Sequence, residues 1–484
     1  MQSQIADNPT FVSNEPMSLR NSSPLPAALA SSALGGPFEG EAEVSGVVPA
    51  WLRGRLIRTA PAIFEFDNWR AEHWFDALGM LYAFDIDADG RVHWMQRLLE
   101  CEFNRSVLHG RDELAGFGTR NHRGFFQRLL HPTPRSTDNA NVNIRAEGSH
   151  WIAMTETERQ LSIDPDSLKT AAEVRFTDSL PRRLLASPHP HDDSERKELI
   201  NIGVRYGTRS TLIAFSQAYG STARREIGRV PLSRVPYIHS FAITRSKIVL
   251  ILHPYDLQPA SLLWSTRSIS EHYRWSPENG TRIIVMDRAS GKYTEHHGPP
   301  FFFFHTVNAF DLDHGAIRLE LLAYTDASLI RQGMLMSEIR RKGLPSLTPS
   351  LRRITIDPTR ADFRMETVNP SVGFEFPMIH YTRTNGRPHR YVWGSDLSRL
   401  VRLDTMTDAV THRSLDGVTF GEPVFVAHPE AIEEDDGVLL TVGSSPAAPG
   451  SEMTIWDARA LDALARITVP IAIPLGFHGG FESR

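Results

Sequence analysis

Short apolar segments separated by turn signals recur along most of the chain. From about residue 36 onward, runs of strand length alternate with clusters of Gly, Asp, Asn and Ser. Tight turns such as DADG at residues 87–90 and EGS at residues 147–149 join the strands of a pair. Strands or strand pairs are predicted at residues 80–100, 141–164, 199–216, 241–252, 282–294, 301–324, 391–402 and 438–456. Many short strands at this spacing predict an all-β protein.

Chain length narrows the choice among all-β architectures. A β-sandwich rarely needs more than about 250 residues, whereas a propeller accommodates a longer chain, such as these 484 residues, by adding blades. We therefore predict a single β-propeller domain with capping insertions over residues 36–484. Residues 1–35, rich in Ser, Ala, Pro and Asn, are expected to form a loosely ordered tail. One helix is predicted over residues 328–342, outside the blades, because its apolar residues fall roughly on one face.

Composition and charge exclude several classes of protein. The chain is 41% hydrophobic and 23% charged, and no apolar run reaches membrane-spanning length. A net charge of −5 gives no indication of a nucleic-acid partner. The single cysteine, Cys101, rules out an intramolecular disulfide and a cysteine-rich zinc site. With no signal-peptide pattern at the N-terminus, we expect a cytoplasmic protein.

Four of the 20 histidines lie beside apolar or strand-forming segments. They are His189 in SPHP, His239 in VPYIHSF, His305 after four phenylalanines, and His478 in LGFHGG. A buried imidazole needs a partner, and neutral imidazole is a good ligand for Fe, Zn or Cu. Spacing alone favours the alternative, a set of four unconnected core histidines satisfied by hydrogen bonds. His191, two residues after His189, is an alternative ligand.

Three glutamates lie in similarly apolar segments. Glu156 occurs in MTET, Glu375 in FEFP and Glu422 in GEPV. Such a carboxylate could accept the distal N–H of a ligating histidine, which would fix the tautomer of that ring. The alternative for each is an ordinary salt bridge within a hairpin.

Taken in order, these segments resemble the carotenoid cleavage oxygenases from about residue 46 to the C-terminus. The matching segments are RGRLIR at 53–58, HWFD at 73–76, DNANVN at 138–143, MTET at 154–157, residues 421–437, and FHG at 477–479. Two departures affect local backbone shape only: Ala77 stands where the family usually has Gly, and Pro188 where Ala is usual.

The resemblance implies a seven-bladed β-propeller with Fe(II) on its axis, under a cap of loops and a helix that carries a substrate tunnel. The implied ligands are His189, His239, His305 and His478, with Glu156, Glu375 and Glu422 hydrogen-bonded behind them. Thr155, Tyr237, Phe376 and Phe477 are expected to line the tunnel. The implied reaction uses O2 to split one double bond of a carotenoid or apocarotenoid into two carbonyl products.

Three other functions stay open. Stilbene-cleaving relatives have a lysine directly before the first of the three glutamates, where this chain has Thr155. A retinoid isomerase would carry a PDPCK stretch, which is missing between Gly118 and Asp138. An iron-free propeller could serve as a protein-binding module.

A polyene substrate partitions into membranes, so the enzyme should contact a bilayer or a carrier. The segment at residues 257–264 ends in Leu262, Leu263 and Trp264, which we predict to meet lipid at headgroup level. The alternative is that this loop packs against the helix at residues 328–342.

Overall fold

The computed structural model describes residues 25–111, 114–120, 123–133, 135–446 and 450–484. The predicted loose tail therefore falls mostly outside the described residues. Its last part, residues 25–35, forms two 3₁₀ turns, in which Leu29 is buried. The backbone N–H of Leu475 donates to the carbonyl of Ala28 at 2.7 Å, which ties this segment to the C-terminal region.

The described residues form seven antiparallel sheets of four or more strands, which we number in chain order. Sheet 1 contains Phe38–Glu41, Val92–Leu98, Leu78–Ile86, Gly54–Ile63 and Gly479–Ser483. Sheet 2 contains Asn143–Glu147, His150–Met154, Leu161–Ile163 and Thr170–Glu173. Sheet 3 contains Leu185–Ala186, Glu198–Arg205, Ser210–Ala218 and Arg224–Leu232, with His191–Asp193 also paired to its second strand.

The other four large sheets follow along the chain. Sheet 4 contains Ala242–Ile243, Lys247–Leu252, Thr281–Asp287 and Tyr293–Gly298. Sheet 5 contains Phe302–Asp311, Ile317–Tyr324, Ser350–Ile356 and Phe363–Thr367. Sheet 6 contains Glu375–Met378, Tyr391–Ser395, Leu400–Asp404 and Val410–Arg413. Sheet 7 contains Glu43–Gly46, Ala463–Val469, Ser451–Asp457, Gly437–Ser444 and Thr419–Phe420, with Val424–Ala427 paired to Gly437–Ser444.

Smaller elements connect these sheets. Val235–Pro236, Tyr255–Leu257 and Arg274–Trp275 form a three-stranded sheet, and two strand pairs join Glu65–Phe66 with Trp69–Arg70 and Leu114–Ala115 with Arg135–Ser136. The α-helices are α1 (Glu102–Leu108), α2 (Phe125–Leu130), α3 (Met336–Lys342) and α4 (Tyr381–Thr384). Further 3₁₀ turns span Trp74–Asp76, Pro259–Leu262, Ser270–His272, Pro277–Asn279 and Asp313–Gly315. No described helix is long and apolar enough to cross a membrane.

The all-β prediction is confirmed, and every predicted strand region contains strands. The predicted helix over residues 328–342 is only partly correct. A π-helical turn at Leu329–Gly333 is separated from α3 by Met334 and Leu335, and the backbone of Leu335 is extended (φ −71°, ψ 135°). The backbone N–H of Trp74 donates to the carbonyl of Met334 at 2.9 Å, so this break anchors a neighbouring segment.

Segments from distant parts of the sequence share sheets 1 and 7. Gly54–Ile63 pairs with the C-terminal strand Gly479–Ser483, and Glu43–Gly46 pairs with Ala463–Val469. All ten residues of Gly54–Ile63 are buried, so this strand is covered on both faces. The pairing places residues near the C-terminus, including His478, beside the beginning of the domain.

Candidate metal centre

The four predicted histidines converge on one point. Their candidate ligand atoms all lie within 4.8 Å of one another. Nε2 of His239 is 2.9 Å from Nε2 of His189 and 3.2 Å from Nε2 of His305, which is 3.1 Å from Nε2 of His478. Each histidine comes from a different segment: His189 lies between two short strands of sheet 3, His239 before sheet 4, His305 within the first strand of sheet 5, and His478 before the last strand of sheet 1.

The three predicted glutamates each accept a hydrogen bond from one of these rings. The Nδ1–H of His239 donates to Glu156 at 2.5 Å. The Nδ1–H groups of His305 and His478 donate to Glu375 and Glu422, each at 2.7 Å. An ionised carboxylate only accepts, so Nδ1 carries the proton and Nε2 does not.

Three unprotonated Nε2 lone pairs therefore converge with no proton between them, an arrangement that a cation would stabilise. Ligands about 2.1 Å from a metal and at right angles are separated by about 3.0 Å. The observed separations of 2.9, 3.2 and 3.1 Å match that geometry. The donor set thus fits a divalent metal such as iron, whose preferred ligands include imidazole.

The electrostatic environment keeps three of these rings, those of His189, His239 and His478, neutral. Burial, with the neighbouring imidazoles, holds the pKa of His189 well below its ordinary value. Burial also lowers the pKa of His239 to about 4 and lowers that of His478. Neutral imidazole is the form that binds a metal, so the site needs no proton release from these rings at neutral pH.

A further layer of hydrogen bonds positions the glutamates. The hydroxyl of Tyr237 donates to Glu156 at 2.6 Å, and that of Tyr324 donates to Glu375 at 3.0 Å. Nη2 of the buried Arg58 donates to Glu422 at 3.2 Å. Sequence reasoning missed Arg58 and Tyr324; an arginine directly after Leu56 and Ile57, at the end of RGRLIR, was the available signal for the first.

His191 does not join the cluster. One of its ring nitrogens lies 2.9 Å from the hydroxyl of Tyr381, and the other lies 2.8 Å from the carbonyl oxygen of Phe241. Both nitrogens therefore have hydrogen-bond partners. His189, and not His191, reaches the other three rings.

A cavity of about 440 Å³ opens onto three of these histidines, His239, His305 and His478. Its wall includes all four residues predicted to line a tunnel: Thr155, Tyr237, Phe376 and Phe477. Other aromatic residues in the wall include Trp74, Phe75, Phe117, Tyr273 and Phe304. The cavity offers a largely apolar ligand a place beside the histidine cluster.

Phe376 reaches this wall through an unusual backbone. Its φ of 56° lies in the left-handed region, which is unfavourable for a bulky residue. Its backbone N–H donates to the carboxylate of Glu375 at 3.0 Å. The ring lies 5.9 Å from the rings of both His305 and His478, measured between centroids. Such strained backbone is typical of functional sites.

The prediction of an exposed Leu262, Leu263 and Trp264 group is wrong for its first member. Leu262 is buried and lines the cavity, because the 3₁₀ turn Pro259–Leu262 directs it inward. Leu263 and Trp264 are exposed, the latter by 58%.

Helix α2 adds exposed apolar residues that sequence reasoning missed. They are Phe125, Phe126, Leu129 and Leu130. The backbone N–H of Trp264 donates to the carbonyl of Pro132 at 2.9 Å, which joins the two segments. We call these four residues with Leu263 and Trp264 the apolar patch. The run GFFQRLLH at residues 124–131 was the available signal.

Comparison with known proteins identifies the family. The model of the Retinal pigment epithelial membrane protein family matches residues 36–483, so the chain belongs to that family. The resemblance to carotenoid cleavage oxygenases seen in the sequence is confirmed by the relatives that follow.

Two relatives and one solved structure illustrate the match. The chain is 28% identical to the β,β-carotene 15,15'-dioxygenase of Rattus norvegicus, over 91% of this chain and 88% of that protein. It is also 28% identical to the carotenoid isomerooxygenase of Galleria mellonella, over 93% of this chain and 94% of that protein. A structure of a variant of the Synechocystis apocarotenoid oxygenase superposes with a TM-score of 0.84 at 24% identity, covering 95% and 98% of the two chains. That last likeness shows the fold.

Proposed function

We propose that this protein is a non-haem Fe(II) dioxygenase that cleaves a carbon–carbon double bond of a carotenoid or apocarotenoid. Both atoms of O2 would enter the two carbonyl products. The observation that carries the proposal is the convergence of four histidines at a large aromatic cavity. The two relatives described above are named as carotenoid-acting oxygenases, which supports the same reaction class.

The proposed architecture is a seven-bladed β-propeller with the histidine cluster on its axis and connecting segments as a cap. The seven large sheets that follow one another along the chain are the proposed blades. Strands from the two ends of the domain share sheets 1 and 7, an arrangement that would close such a ring. The short helical segments near residues 329–342 supply part of the cavity wall, including Met334.

His189, His239, His305 and His478 would hold the iron, and Glu156, Glu375 and Glu422 would orient three of these rings. When bound, ferrous iron supplies the site at which O2 is activated. The carboxylates hold each Nδ1 proton in place, which keeps Nε2 available as a ligand atom. Thr155, Tyr237, Phe376 and Phe477 would hold the polyene with one double bond beside the cluster, so that orientation supplies part of the catalysis.

Cleavage of a phenolic stilbene is the closest rival. Stilbene-cleaving relatives resemble this chain in their ligands and use a lysine next to the first glutamate. Thr155 occupies that place here, and no lysine lines the cavity in the described part of the chain. The wall is therefore better suited to a polyene than to a phenolic stilbene.

A substrate panel tests the proposal. Protein reconstituted with Fe(II) would be given β-carotene, an apocarotenal and a resveratrol-type stilbene under ¹⁸O2. We expect aldehyde products from a polyene, with ¹⁸O in both new carbonyls, and none from His305→Ala protein. Cleavage of the stilbene alone would favour the rival, and no cleavage by iron-loaded protein would contradict the proposal.

The apolar patch supports a further proposal, peripheral contact with a lipid bilayer. Its neighbours Leu262 and Thr133 line the cavity, so the patch borders the route to the histidine cluster. An indole at the surface suits the headgroup region of a bilayer. A carotenoid dissolved in lipid could then enter the cavity without crossing water.

A further inference from the structure

The exposed part of the cavity wall is made of arginine. Among the described residues that line the cavity, only Arg135, Arg183 and Arg205 are exposed to solvent. An exposed residue in a cavity wall marks a place where the cavity opens. Arg135 is bound to the carboxylate of Glu102 at 2.9 Å, so its charge is compensated.

Arg183 and Arg205 differ from the other charged residues of the wall. The carboxylates of Asp76, Glu156 and Glu375 all accept hydrogen bonds from protein groups. Neither Arg183 nor Arg205 has a carboxylate partner or a hydrogen-bond acceptor among the described residues. Two uncompensated positive charges thus stand at the opening of a largely apolar cavity, in a protein whose net charge is −5.

Sheet 3 places these two arginines at the same end of one strand pair. Leu185 pairs with Val204 in an antiparallel ladder. Arg183 lies two residues before Leu185, and Arg205 lies one residue after Val204. In an antiparallel pair, both positions flank the same end of the ladder. Both residues also line the same cavity, so both guanidinium groups can contact a ligand bound at its opening, and each offers several N–H donors.

Two tyrosine hydroxyls continue the polar wall inward from the arginines. The hydroxyl of Tyr206, the residue after Arg205, lies 3.3 Å from the hydroxyl of Tyr273. Burial raises the pKa of Tyr206 to about 12 and holds that of Tyr273 well above its ordinary value, so both keep their protons. The pair has two O–H protons, and one of them forms the hydrogen bond between the two hydroxyl oxygens. The other has no acceptor among the described residues and is available to a ligand.

The aromatic wall runs from these hydroxyls to the histidine cluster. The ring of Tyr273 lies 5.9 Å from that of Tyr237, which lies 6.2 Å from that of His239, measured between centroids. One continuous surface therefore joins a positively charged opening, a hydrogen-bond donor and the histidines. The spatial order of these groups, from the charged opening to the histidines, is complementary to a molecule with an anionic head and an apolar body.

We propose that the substrate is a polyene carboxylic acid whose carboxylate binds Arg183 and Arg205, with a tyrosine O–H as an additional donor. The chain of the polyene extends past Tyr237 to the histidine cluster. This inference rests on the proposed function for the position of the polyene, and it adds the chemical class of its terminal group. Arginine is well suited to this role because its planar N–H groups bind a carboxylate in pairs.

Binding and cleavage should be measured separately. The ligands are an apocarotenoic acid and the apocarotenol of the same chain length, and binding is followed anaerobically by quenching of tryptophan fluorescence, since Trp74 lines the cavity. We expect the acid to bind wild-type protein roughly 10-fold more tightly than the alcohol. Arg183→Gln and Arg205→Gln should each weaken binding of the acid by about 3- to 10-fold and leave binding of the alcohol unchanged. Arg182→Gln is the matched control, because Arg182 is exposed next to Arg183 and does not line the cavity.

Several outcomes would overturn the inference. Equal binding of acid and alcohol by the wild-type protein is one, and an acid preference that survives in both arginine variants is another. Vesicles of phosphatidylglycerol are the third ligand to be tested, beside the acid and the alcohol. If the arginine variants lose vesicle binding but keep the preference for the acid, the arginines bind lipid headgroups instead. Cleavage assays with the same ligands keep the two proposals apart. Cleavage without preference for the acid contradicts this inference alone, and preferential binding without cleavage contradicts the proposed function alone.

Discussion

Changing Glu375 or Glu422 to glutamine would separate the effect of charge from the effect of hydrogen bonding at the histidine cluster. In Glu375→Gln, the amide oxygen can accept from both His305 and the backbone N–H of Phe376, as Oε2 does now. The amide NH2 can donate to the hydroxyl oxygen of Tyr324. All the hydrogen bonds survive and only the charge is lost, so we expect iron affinity to fall by about 10-fold.

Glu422→Gln should behave differently because the Glu422 carboxylate contacts a cation, Arg58, in addition to His478. If the amide oxygen accepts from His478, the NH2 faces Nη2 of Arg58, which now donates to the carboxylate at 3.2 Å. Arg58 is buried, with 1% of its side chain exposed, and loses its only carboxylate partner among the described residues. If the amide is reversed, His478 must move its proton to Nε2 and can no longer bind a metal. Arg58 keeps two carbonyl acceptors, at 2.6 and 2.8 Å, which limits the damage.

Glu422→Gln removes one buried hydrogen bond between charged groups. We therefore expect the free energy of unfolding to fall by about 2–3 kcal/mol. Iron affinity should fall by about 100-fold, the upper end of the range expected when a residue that orients a metal ligand is changed. Urea unfolding of the metal-free proteins gives the first quantity, and anaerobic Fe(II) titration against a competing chelator gives the second. Glu433→Gln, at an exposed position nearby, is the control and should change neither. Equal losses in Glu375→Gln and Glu422→Gln would refute the role assigned to Arg58.

Three other expectations follow from the same contacts. His305→Ala should abolish iron binding, whereas His191→Ala should keep it and lose about 1–3 kcal/mol of stability, as measured by metal analysis and urea unfolding. Leu263→Ser with Trp264→Ser should weaken binding to neutral liposomes in a sedimentation assay, and unchanged binding in the folded variant would contradict the membrane proposal. Burial lowers the pKa of His191 and of His253 from 6.5 to about 4. As the pH falls, the unfolded chain therefore takes up these protons at a higher pH than the folded protein does. The free energy of unfolding should fall by about 2 kcal/mol per histidine between pH 7 and pH 5. Equal unfolding free energies at the two pH values would contradict this.

The strands could be located from the sequence because each is bounded by local turn signals. Glu147-Gly148-Ser149, for example, does connect two paired strands, with Gly148 at a φ of 62° that favours glycine. Such information is contained within a few residues. The same local reasoning failed at residues 328–342, where a helical pattern could not show that Leu335 leaves the helix. That break depends on contacts with Trp74, which is remote in sequence.

The histidine cluster could be named only through the resemblance to a family. Around His189 or His305, nothing local distinguishes a metal ligand from a buried structural histidine, because convergence depends on how the sheets are arranged. The orientation of Leu262 was unpredictable for the same reason: an exposed loop and a 3₁₀ turn facing a cavity can have the same composition. Arg58 was missed because its partner, Glu422, is 364 residues away along the chain.

The backbone around the histidines is held together by bonds that need no metal. The hydroxyl of Ser187 donates to the carbonyl of His239 at 2.6 Å, and that of Ser240 donates to the carbonyl of Phe304 at 2.6 Å. On the opposite side, the backbone N–H of His478 donates to the carbonyl of Val142 at 3.1 Å. These bonds connect segments that carry ligands to their neighbours, so the site is largely preformed. A metal then binds without ordering the chain, unlike the case of small zinc domains, in which metal binding supplies the folding energy. Iron should therefore add stability only as a ligand does, in proportion to the logarithm of its free concentration over its dissociation constant.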